Sequence, residues 1–465
     1  MYPSDVHVAV IGAGLAAIKS MLEEGFNVTG FERRPNAGGL WAFSENPQIT
    51  SATKSTKSQY SKFLSYAKHF GLLKRIKFNV VVRSLSRTED GTKWALLLED
   101  EVSPRVFDKV IMATGTEVTP NIPKIEGFDL FKGRFLHSQA YKGPDDFAGQ
   151  NVIVIGKGNT AGDCVVDLTS RSSKVYWSHR RGAMILPRFT SGTRLDAFAS
   201  WKRTRVMFWV GNVMPALHRW IMHLYLTWIV RLAWGNLDPQ WRLDRNVYQA
   251  TTTSAYVFND RIIPALRNGR VTSTASVRKI VGLARWSYIN TLEMLEGIVS
   301  YSQPHPDVRP IADLYHGMFP PGYIDSLACL NYTIGIDSTI TCKELASMAI
   351  AQVWAGKSKL PSTEEMESPI AIWNVIVEPH EWLKFVNETA GTGVYENLCL
   401  TLQGIRFFMR EPKLSYMMQC RVNTPHIYRL FETGKRKAWD GAREAIEHVN
   451  HLSDIDLAEV KRKTA

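Results

Sequence analysis

Two glycine-rich turns carry the residue types that bind the phosphates of a dinucleotide. The first turn, Gly12-Ala-Gly14-Leu-Ala-Ala17, follows an apolar run and precedes apolar residues at helical spacing. Glycines permit a tight turn and let a pyrophosphate approach the backbone, and the following helix supplies free N–H groups and a partial positive charge. Glu32 ends the next apolar run, where a carboxylate binds the hydroxyls of an adenosine ribose. The pattern predicts a dinucleotide site at this turn.

A second turn repeats the pattern with different charges. Its candidate binding residues are Gly156, Gly158, Asn159 and Thr160. The next apolar run ends in Ser178-His-Arg180-Arg181, with two guanidiniums where the first site has an acid. Planar bidentate donors suit the 2′-phosphate of NADP, whereas the alternative is an arginine pair that is merely solvated on a loop. Opposite charges at the two ribose positions predict two cofactors, NADPH and, most economically, FAD.

Other residues beside the first turn complete its candidate binding set. A Gly-Gly-Leu-Trp segment follows the acid, and a later strand ends in the small residues Ala-Thr-Gly, which would close the first domain. The further candidates for the first cofactor are Arg33, Gly39, Leu40, Trp41, Thr114 and Gly115.

The elements that position these residues alternate between strands and helices. Apolar runs at His7–Ile11, Asn27–Phe31, Asn151–Ile155 and Lys174–Trp177 are typical of parallel strands that are covered on both faces. We therefore predict an α/β fold with two Rossmann-like dinucleotide-binding domains and a helical C-terminal part. The predicted domains are an FAD-binding domain with its linker at 1–149, an inserted NADPH-binding domain at 150–270, and the return to the FAD domain with the helical region at 271–465.

The net charge of +12 comes from two windows of the sequence. Residues 46–88 contain nine bases and residues 197–237 contain five, and neither window contains an acid. These 14 bases account for the whole excess of 56 Lys+Arg over 44 Asp+Glu. Nucleic acid, a membrane surface or anionic cofactors would each explain such windows. Because no nucleic-acid-binding module is recognisable, we expect no nucleic-acid partner.

The cysteines and the N-terminus indicate the compartment. The five cysteines are widely spaced and include no Cys-x-x-Cys. This spacing disfavours a disulfide framework, a zinc site and a dithiol reductase of the same two-turn architecture. The N-terminus has no basic region and no cleavage site, so the run at His7–Ile11 is predicted to be a strand and not a signal peptide. We expect a cytoplasmic protein.

An apolar segment near the centre of the chain has a polar stripe. Arg219, His223, Thr227 and Arg231 recur every four residues along a predicted helix at 216–234. The segment has too many charges for a transmembrane span. One interpretation is peripheral contact with a membrane, and the other is a helix buried between domains, which is the commoner arrangement for such a stripe.

A third motif lies between the two turns and carries a family resemblance. Phe131-x-Gly133-x-x-x-His137-x-x-x-Tyr141 matches the fingerprint of flavin-containing monooxygenases, and the sequence resembles that family, particularly its fungal members, with the Baeyer–Villiger enzymes as relatives. The resemblance implies that NADPH reduces FAD and that a flavin C4a-hydroperoxide, formed with O2, oxygenates nitrogen or sulfur of a small organic substrate. Ketone oxygenation is the alternative. His137 is expected near the cofactors, in a structural role rather than as an acid or base.

Three departures from the family pattern fall on cofactor elements. The family reads Gly-x-Gly-Pro-Ser-Gly-Leu where this chain runs from Gly14 directly into Leu15, so three residues are absent. Gln59 occupies the place of an asparagine beside the flavin, and the segment that should then cover the flavin is missing. A segment at 282–296, which is typical of a helix or of an irregular insert, replaces an expected strand. The alternatives to an active enzyme are therefore a catalytically impaired homologue and a gene model with misplaced exon boundaries.

Overall fold

A computed structural model of the chain shows two compact units. Unit 1 comprises residues 1–42, 58–118 and 292–450, and unit 2 comprises residues 43–57, 119–291 and 451–465. The predicted boundaries near residues 149 and 270 stay predictions. The structure describes residues 2–46, 57–115, 125–131, 133–179, 183–190, 193–194, 200–243, 256–277, 279, 314–330, 339–366 and 379–464.

The described segments contain both strands and helices, and the described elements after residue 330 are helical. The strands are β1 (His7–Ile11), β2 (Asn27–Glu32), β3 (Ile76–Phe78), β4 (Val82–Arg87), β5 (Trp94–Leu98), β6 (Arg105–Phe107), β7 (Lys109–Met112), β8 (Asn151–Ile155), β9 (Lys174–Ser178), β10 (Ile185–Leu186), β11 (Phe189–Thr190), β12 (Thr193–Arg194), β13 (Val257–Phe258), β14 (Val271–Thr274) and β15 (Leu327–Cys329). The helices are α1 (Leu15–Glu23), α2 (Lys57–His69), α3 (Asn159–Leu168), α4 (Trp201–Val213), α5 (Pro215–Trp234), α6 (Ile262–Arg267), α7 (Thr339–Trp354), α8 (Thr363–Met366), α9 (Pro379–Ala390), α10 (Val394–Leu398), α11 (Leu402–Arg410), α12 (Pro412–Cys420) and α13 (Ala442–Thr464).

Unit 1 is built on a five-stranded parallel sheet with strand order β15-β7-β1-β2-β3. Strand β1 lies between β2 and β7, so the chain leaves it toward one side and later returns on the other. Ligands of such sheets bind outside the carboxyl end of the strands at this switch point. The glycine turn that follows β1 lies at this point.

An antiparallel sheet of β4, β5 and β6 shares a core with the parallel sheet of unit 1. Phe31 of β2 and Val110 of β7 pack in this core with Trp94 and Leu96 of β5. All four side chains are almost fully buried. Residues of both sheets are thus held in one close-packed core beneath the switch point.

Unit 2 is built on a second parallel sheet with strand order β14-β9-β8. Val154, Val175 and Trp177 of this sheet share a core with helices α3 and α6. Gly162 of α3 lets β13 approach, because a Cβ at that position would lie 2.8 Å from Cγ1 of Val257. The predicted α/β class with two parallel-sheet units is confirmed.

Helices α4 and α5 form a hairpin in unit 2. Ser200 caps α4 by accepting the N–H of Arg203, and Pro215 begins α5, where a missing N–H costs nothing. The end of α5 is fixed to the unit because Trp234 donates its indole N–H to the carbonyl of Ile185 at 3.1 Å. No helix in the described part of the chain is both long enough and apolar enough to span a membrane.

Candidate functional site

The first glycine turn is closely packed in unit 1. Gly12 has a φ of +95°, and a Cβ there would lie 2.4 Å from the carbonyl oxygen of Ala113 at the end of β7. A Cβ on Gly14 would lie 2.6 Å from the Cβ of Ala113. Both glycines are therefore required for the approach of β7 as well as for the turn. Helix α1 begins immediately, with its first hydrogen bond from Ile18 to the carbonyl of Gly14 at 2.9 Å.

Glu32 lies at the end of β2, beside this turn. Its Oε2 accepts the N–H of Ala13 at 2.9 Å, and its Oε1 accepts the N–H of Arg34 at 3.0 Å. The side chain is buried. The carboxylate thus accepts one N–H group of the turn that would otherwise be available to a pyrophosphate. The sequence pattern did not predict this contact.

The remaining predicted residues of the first site have these positions. Ala17 is fully buried in α1, and the side chain of Arg34 donates to the carbonyl of Gly39. Trp41 is partly exposed and stacks on Phe63 with ring centroids 6.4 Å apart. Arg33 follows β2, Leu40 lies in the short 3-10 helix Gly39–Trp41, Thr114 and Gly115 follow β7, and Gln59 lies in α2, with its side chain outside the described part.

A buried cluster of charges fixes α1 from the other side. Lys19 of α1 bonds to Glu23 at 2.7 Å and lies 3.5 Å from Glu344 of α7. Arg429 bonds to both carboxylates, and Arg436 bonds to Glu23 at 2.9 Å. Burial alone would raise the pKa of Glu344, but Arg429 and Lys19 outweigh it and hold that pKa below its ordinary value. The cluster therefore positions the helix that follows the first turn.

Sequence reasoning did not find this cluster. Lys19 and Glu23 are spaced for an i,i+4 pair, whereas Arg429 and Arg436 lie near the C-terminal end of the sequence. Glu344, the shared partner of Lys19 and Arg429, is more than 300 residues from Lys19 in the sequence, and only tertiary packing brings it close.

The second glycine turn, in unit 2, is more open. Gly156 has a φ of +127°, and its carbonyl accepts the indole N–H of Trp177 at 2.7 Å. No atom of the described residues comes within 4 Å of a Cβ built on Gly158. Helix α3 begins at Asn159 and points its N-terminal N–H groups toward this turn. The hydrogen bond from Trp177 thus holds Gly156 in place, and the described residues leave space beside Gly158 for a ligand.

The helix that leaves the second turn is joined to β13. Asn159 accepts the N–H of Phe258 at 2.9 Å through its side-chain oxygen, and Thr160 lies next to it in the first turn of α3. Asp163, further along α3, accepts the side-chain N–H of Asn259 at 3.1 Å. Burial raises the pKa of Asp163. Sequence reasoning missed Asn259, whose side chain also accepts two N–H groups at the start of α6.

The predicted 2′-phosphate position follows β9. Ser178 is fully buried and donates its hydroxyl to the carbonyl of Ala275 at 2.9 Å, so the structure gives it a role within the sheet. His179 is also buried, and burial lowers its pKa to about 4. Arg180 and Arg181, the two predicted phosphate ligands, lie outside the described residues.

The fingerprint histidine caps a short turn. Nδ1 of His137 accepts the N–H of Gln139 at 3.2 Å, and burial lowers the pKa of His137 to about 4. Tyr141 of the same motif donates its hydroxyl to Asp167 of α3 at 2.8 Å. The imidazole of His137 thus caps a short turn, and Tyr141 joins the motif to α3; the structural role of His137 stays a prediction.

Known proteins match almost the whole chain. Residues 5–65 and 54–456 match the family described as flavin-binding monooxygenase-like. Monooxygenase aurF of Gibberella zeae is 31% identical, with 95% of this chain and 97% of that protein covered. Dimethylaniline monooxygenase 2, named as N-oxide-forming, of Oryctolagus cuniculus is 28% identical, with 94% and 90% covered. The solved S-allyl-L-cysteine S-oxygenase of Allium sativum has a TM-score of 0.58 at 16% identity, with 95% and 99% covered.

These matches confirm the family resemblance and the predicted enzyme class, a flavin-dependent oxidoreductase of the monooxygenase type. The two matched segments, residues 5–65 and 54–456, overlap at residues 54–65, where the resemblance predicts that a flavin-covering segment is absent. The predicted insert at 282–296 lies outside the described residues.

Proposed function

The chain belongs to the flavin-binding monooxygenase-like family, and from that premise we propose an FAD- and NADPH-dependent monooxygenase acting on nitrogen or sulfur of a small organic substrate. In this reaction one atom of O2 enters the substrate and the other leaves as water, while NADPH gives two electrons and a proton from solvent completes the balance. The observation that supports this proposal is the pair of strand–glycine turn–helix units. Glu32 lies beside the turn of the first unit, and in the second unit no atom of the described residues lies within 4 Å of a Cβ built on Gly158.

The polar groups around the first turn are of the kinds that bind FAD. The N-terminus of α1 faces the turn after β1, where it would bind the pyrophosphate, and Glu32 would bind the adenosine ribose. Bound FAD would supply the redox chemistry with NADPH and dioxygen. To reach the ribose, the Glu32 carboxylate must share or release the N–H of Ala13.

The second turn fits NADPH. Its pyrophosphate would lie over Gly158 at the N-terminus of α3, where the structure leaves space. Trp177 and Asn159 would keep this turn in place, because their polar groups are bonded to the carbonyl of Gly156 and to β13. We assign the 2′-phosphate to Arg180 and Arg181 from the sequence pattern.

Purification of the protein tests this function. We expect a yellow protein that releases FAD and is bleached by NADPH without oxygen, and then consumes O2 with an amine or thioether to give products heavier by one oxygen atom. Product formation only from ketones would favour the Baeyer–Villiger alternative. Protein that stays colourless after reconstitution with FAD would instead favour an impaired homologue, which the contact between Ala13 and Glu32 suggests.

Replacement of both Arg180 and Arg181 by alanine tests the cofactor choice. The KM for NADPH should rise about tenfold or more, because charge-assisted bonds to a phosphate are lost, while the KM for NADH stays within about twofold. Equal losses for NADPH and NADH would refute the assignment of these arginines.

We also infer that the enzyme acts at the surface of a membrane, through residues 216–234. Trp220 and Trp228 of α5 are 60% and 59% exposed, whereas Leu226 and Ile229 on the opposite side are buried. The cytoplasmic location stays a prediction from the free cysteines.

A further inference from the structure

Helix α5 presents a row of large apolar side chains to solvent. The exposed members of the row are Leu217, Trp220, Leu224 and Trp228. They recur every three or four residues, so they lie on one face, opposite the residues that bury α5 in unit 2. An exposed apolar patch of this kind marks a binding surface.

Helix α4 adds a second row. Val206, Trp209 and Val213 are all exposed, at i, i+3 and i+7, and Trp209 is 58% exposed. The guanidinium of Arg203 lies 5.1 Å from the ring centre of Tyr225, which connects α4 with α5. The hairpin is therefore a fixed element with apolar side chains directed outward, and not a frayed segment.

The charges beside these rows are all positive. Lys202, Arg203, Arg219 and Arg231 are exposed on the two helices. Residues 197–237 contain no aspartate or glutamate. Two helices that carry exposed tryptophans and basic residues, and whose own sequence contains no acid, are complementary to an apolar layer beneath negative charges.

We propose that α4 and α5 lie in the plane of an anionic lipid bilayer, with their apolar rows in the interfacial layer and their basic residues at the lipid phosphates. The proposal rests on the peripheral contact inferred above and names its helices and its lipid class. Tryptophan favours the interface because its ring is apolar and its N–H stays hydrated.

Vesicle flotation of the full-length protein tests this proposal. The probes are vesicles of phosphatidylcholine alone and vesicles with added phosphatidylglycerol. We expect flotation with the anionic vesicles, and about tenfold or greater loss of binding in a W220S/L224S/W228S variant, because three interfacial side chains are removed. The matched control is V102S/L130S, which changes exposed apolar residues elsewhere and should bind as the original protein does.

A separate variant tests the charges. R219Q/R231Q should weaken binding to the anionic vesicles and leave the weak binding to neutral ones unchanged, and added salt should have the same effect. Equal binding of the original protein to both vesicle types would overturn the lipid class.

Other outcomes would overturn the proposal as a whole. One such outcome is the absence of flotation with any vesicle. The other is full binding by the triple variant, which would make the exposed apolar residues of α11 the alternative binding surface. A dimer that the triple variant loses, without vesicle binding, would assign the surface to a second copy of the chain.

Two further measurements separate loss of membrane binding from misfolding of a variant and from failure of the proposed reaction. Brominated lipids should quench tryptophan emission of the unmodified protein if Trp209, Trp220 and Trp228 enter the bilayer. Reduction of the flavin by NADPH, measured without vesicles, should be the same in the original and triple-variant proteins. If the original protein is not reduced, the proposed oxygenase fails, and vesicle binding still decides the membrane proposal.

Discussion

Glu344→Gln is the sharpest test of how unit 1 positions the first turn. Glu344 is buried in α7 and bonds to Arg429, to Lys19 and, through its Oε2 at 2.8 Å, to the hydroxyl of Tyr66. The substitution keeps the shape of the side chain but removes its charge. Three cations would then share Glu23, whose side chain is 34% exposed.

The expected loss follows from the burial of the cluster. Removal of one partner from a buried ion pair costs about 3–5 kcal/mol, because the remaining charges lose their compensation. An exposed pair is worth only about 0–1 kcal/mol, since water screens it. The matched control is Glu388→Gln, which removes the exposed pair with Lys384 at 3.8 Å in the same unit.

Urea unfolding, followed by a signal that reports on unit 1, measures the loss in free energy of unfolding. The Glu344→Gln protein should unfold at a lower urea concentration with an unchanged slope, and the control should not shift. Addition of Arg429→Met should cost less in the Glu344→Gln background than alone, because the two residues interact. A loss below about 1 kcal/mol, or full additivity with Arg429→Met, would refute the buried-cluster argument.

The same cluster gives a sign for the pH dependence. The pKa of Glu344 is held below its ordinary value, so Glu344 contributes stability above the ordinary range of carboxyl groups. That contribution is lost as the pH falls through the lowered pKa of the folded state. In the Glu344→Gln protein the acid loss of stability should therefore be shallower than in the original.

Two further predictions concern the first turn. Glu32→Gln should raise the Kd for FAD by about tenfold or more, because an amide offers the adenosine ribose one neutral acceptor oxygen where the carboxylate offers two charged ones; fluorescence titration measures it, and an unchanged Kd would exclude Glu32 from the site. Gly12→Ala should lower thermal stability and FAD content together, because its Cβ would meet backbone atoms, whereas Gly91→Ala, also at positive φ but with no atom of the described residues within 4 Å, should cost only about 1–2 kcal/mol. Similar losses in the two variants would contradict the packing argument.

The sequence alone predicts the strands that carry the turns. The runs at His7–Ile11 and Asn151–Ile155 are β1 and β8 without change, and the predicted Lys174–Trp177 extends by one residue in β9. Strands covered on both faces are continuous apolar runs, so their ends are visible in the sequence. The cofactor classes follow from the residues at these ends.

Side-chain partners that depend on tertiary packing are not predictable in this way. The polar stripe at Arg219 and Arg231 shows that α5 has distinct faces. It does not show which face packs against the rest of unit 2, because the residues on both sides of the stripe are apolar. Packing buries Leu226 and Ile229 and leaves Trp220 exposed. Likewise, the presence of Glu32 after β2 is visible in the sequence, but its bond to Ala13 is not.

We infer that this bond follows from the predicted shortening of the first turn. The three residues that the resemblance predicts to be absent would correspond to about 4.5 Å of helix. The contacts of Lys19 and Glu23 fix the carboxyl-terminal half of α1 against α7 and the tail, so the loss falls on the N-terminal end. The helix then begins at Leu15, and Glu32 satisfies the N–H of Ala13 in the tightened turn. In the structure, the carboxylate that we propose for the adenosine ribose of FAD therefore already accepts one N–H of the first turn.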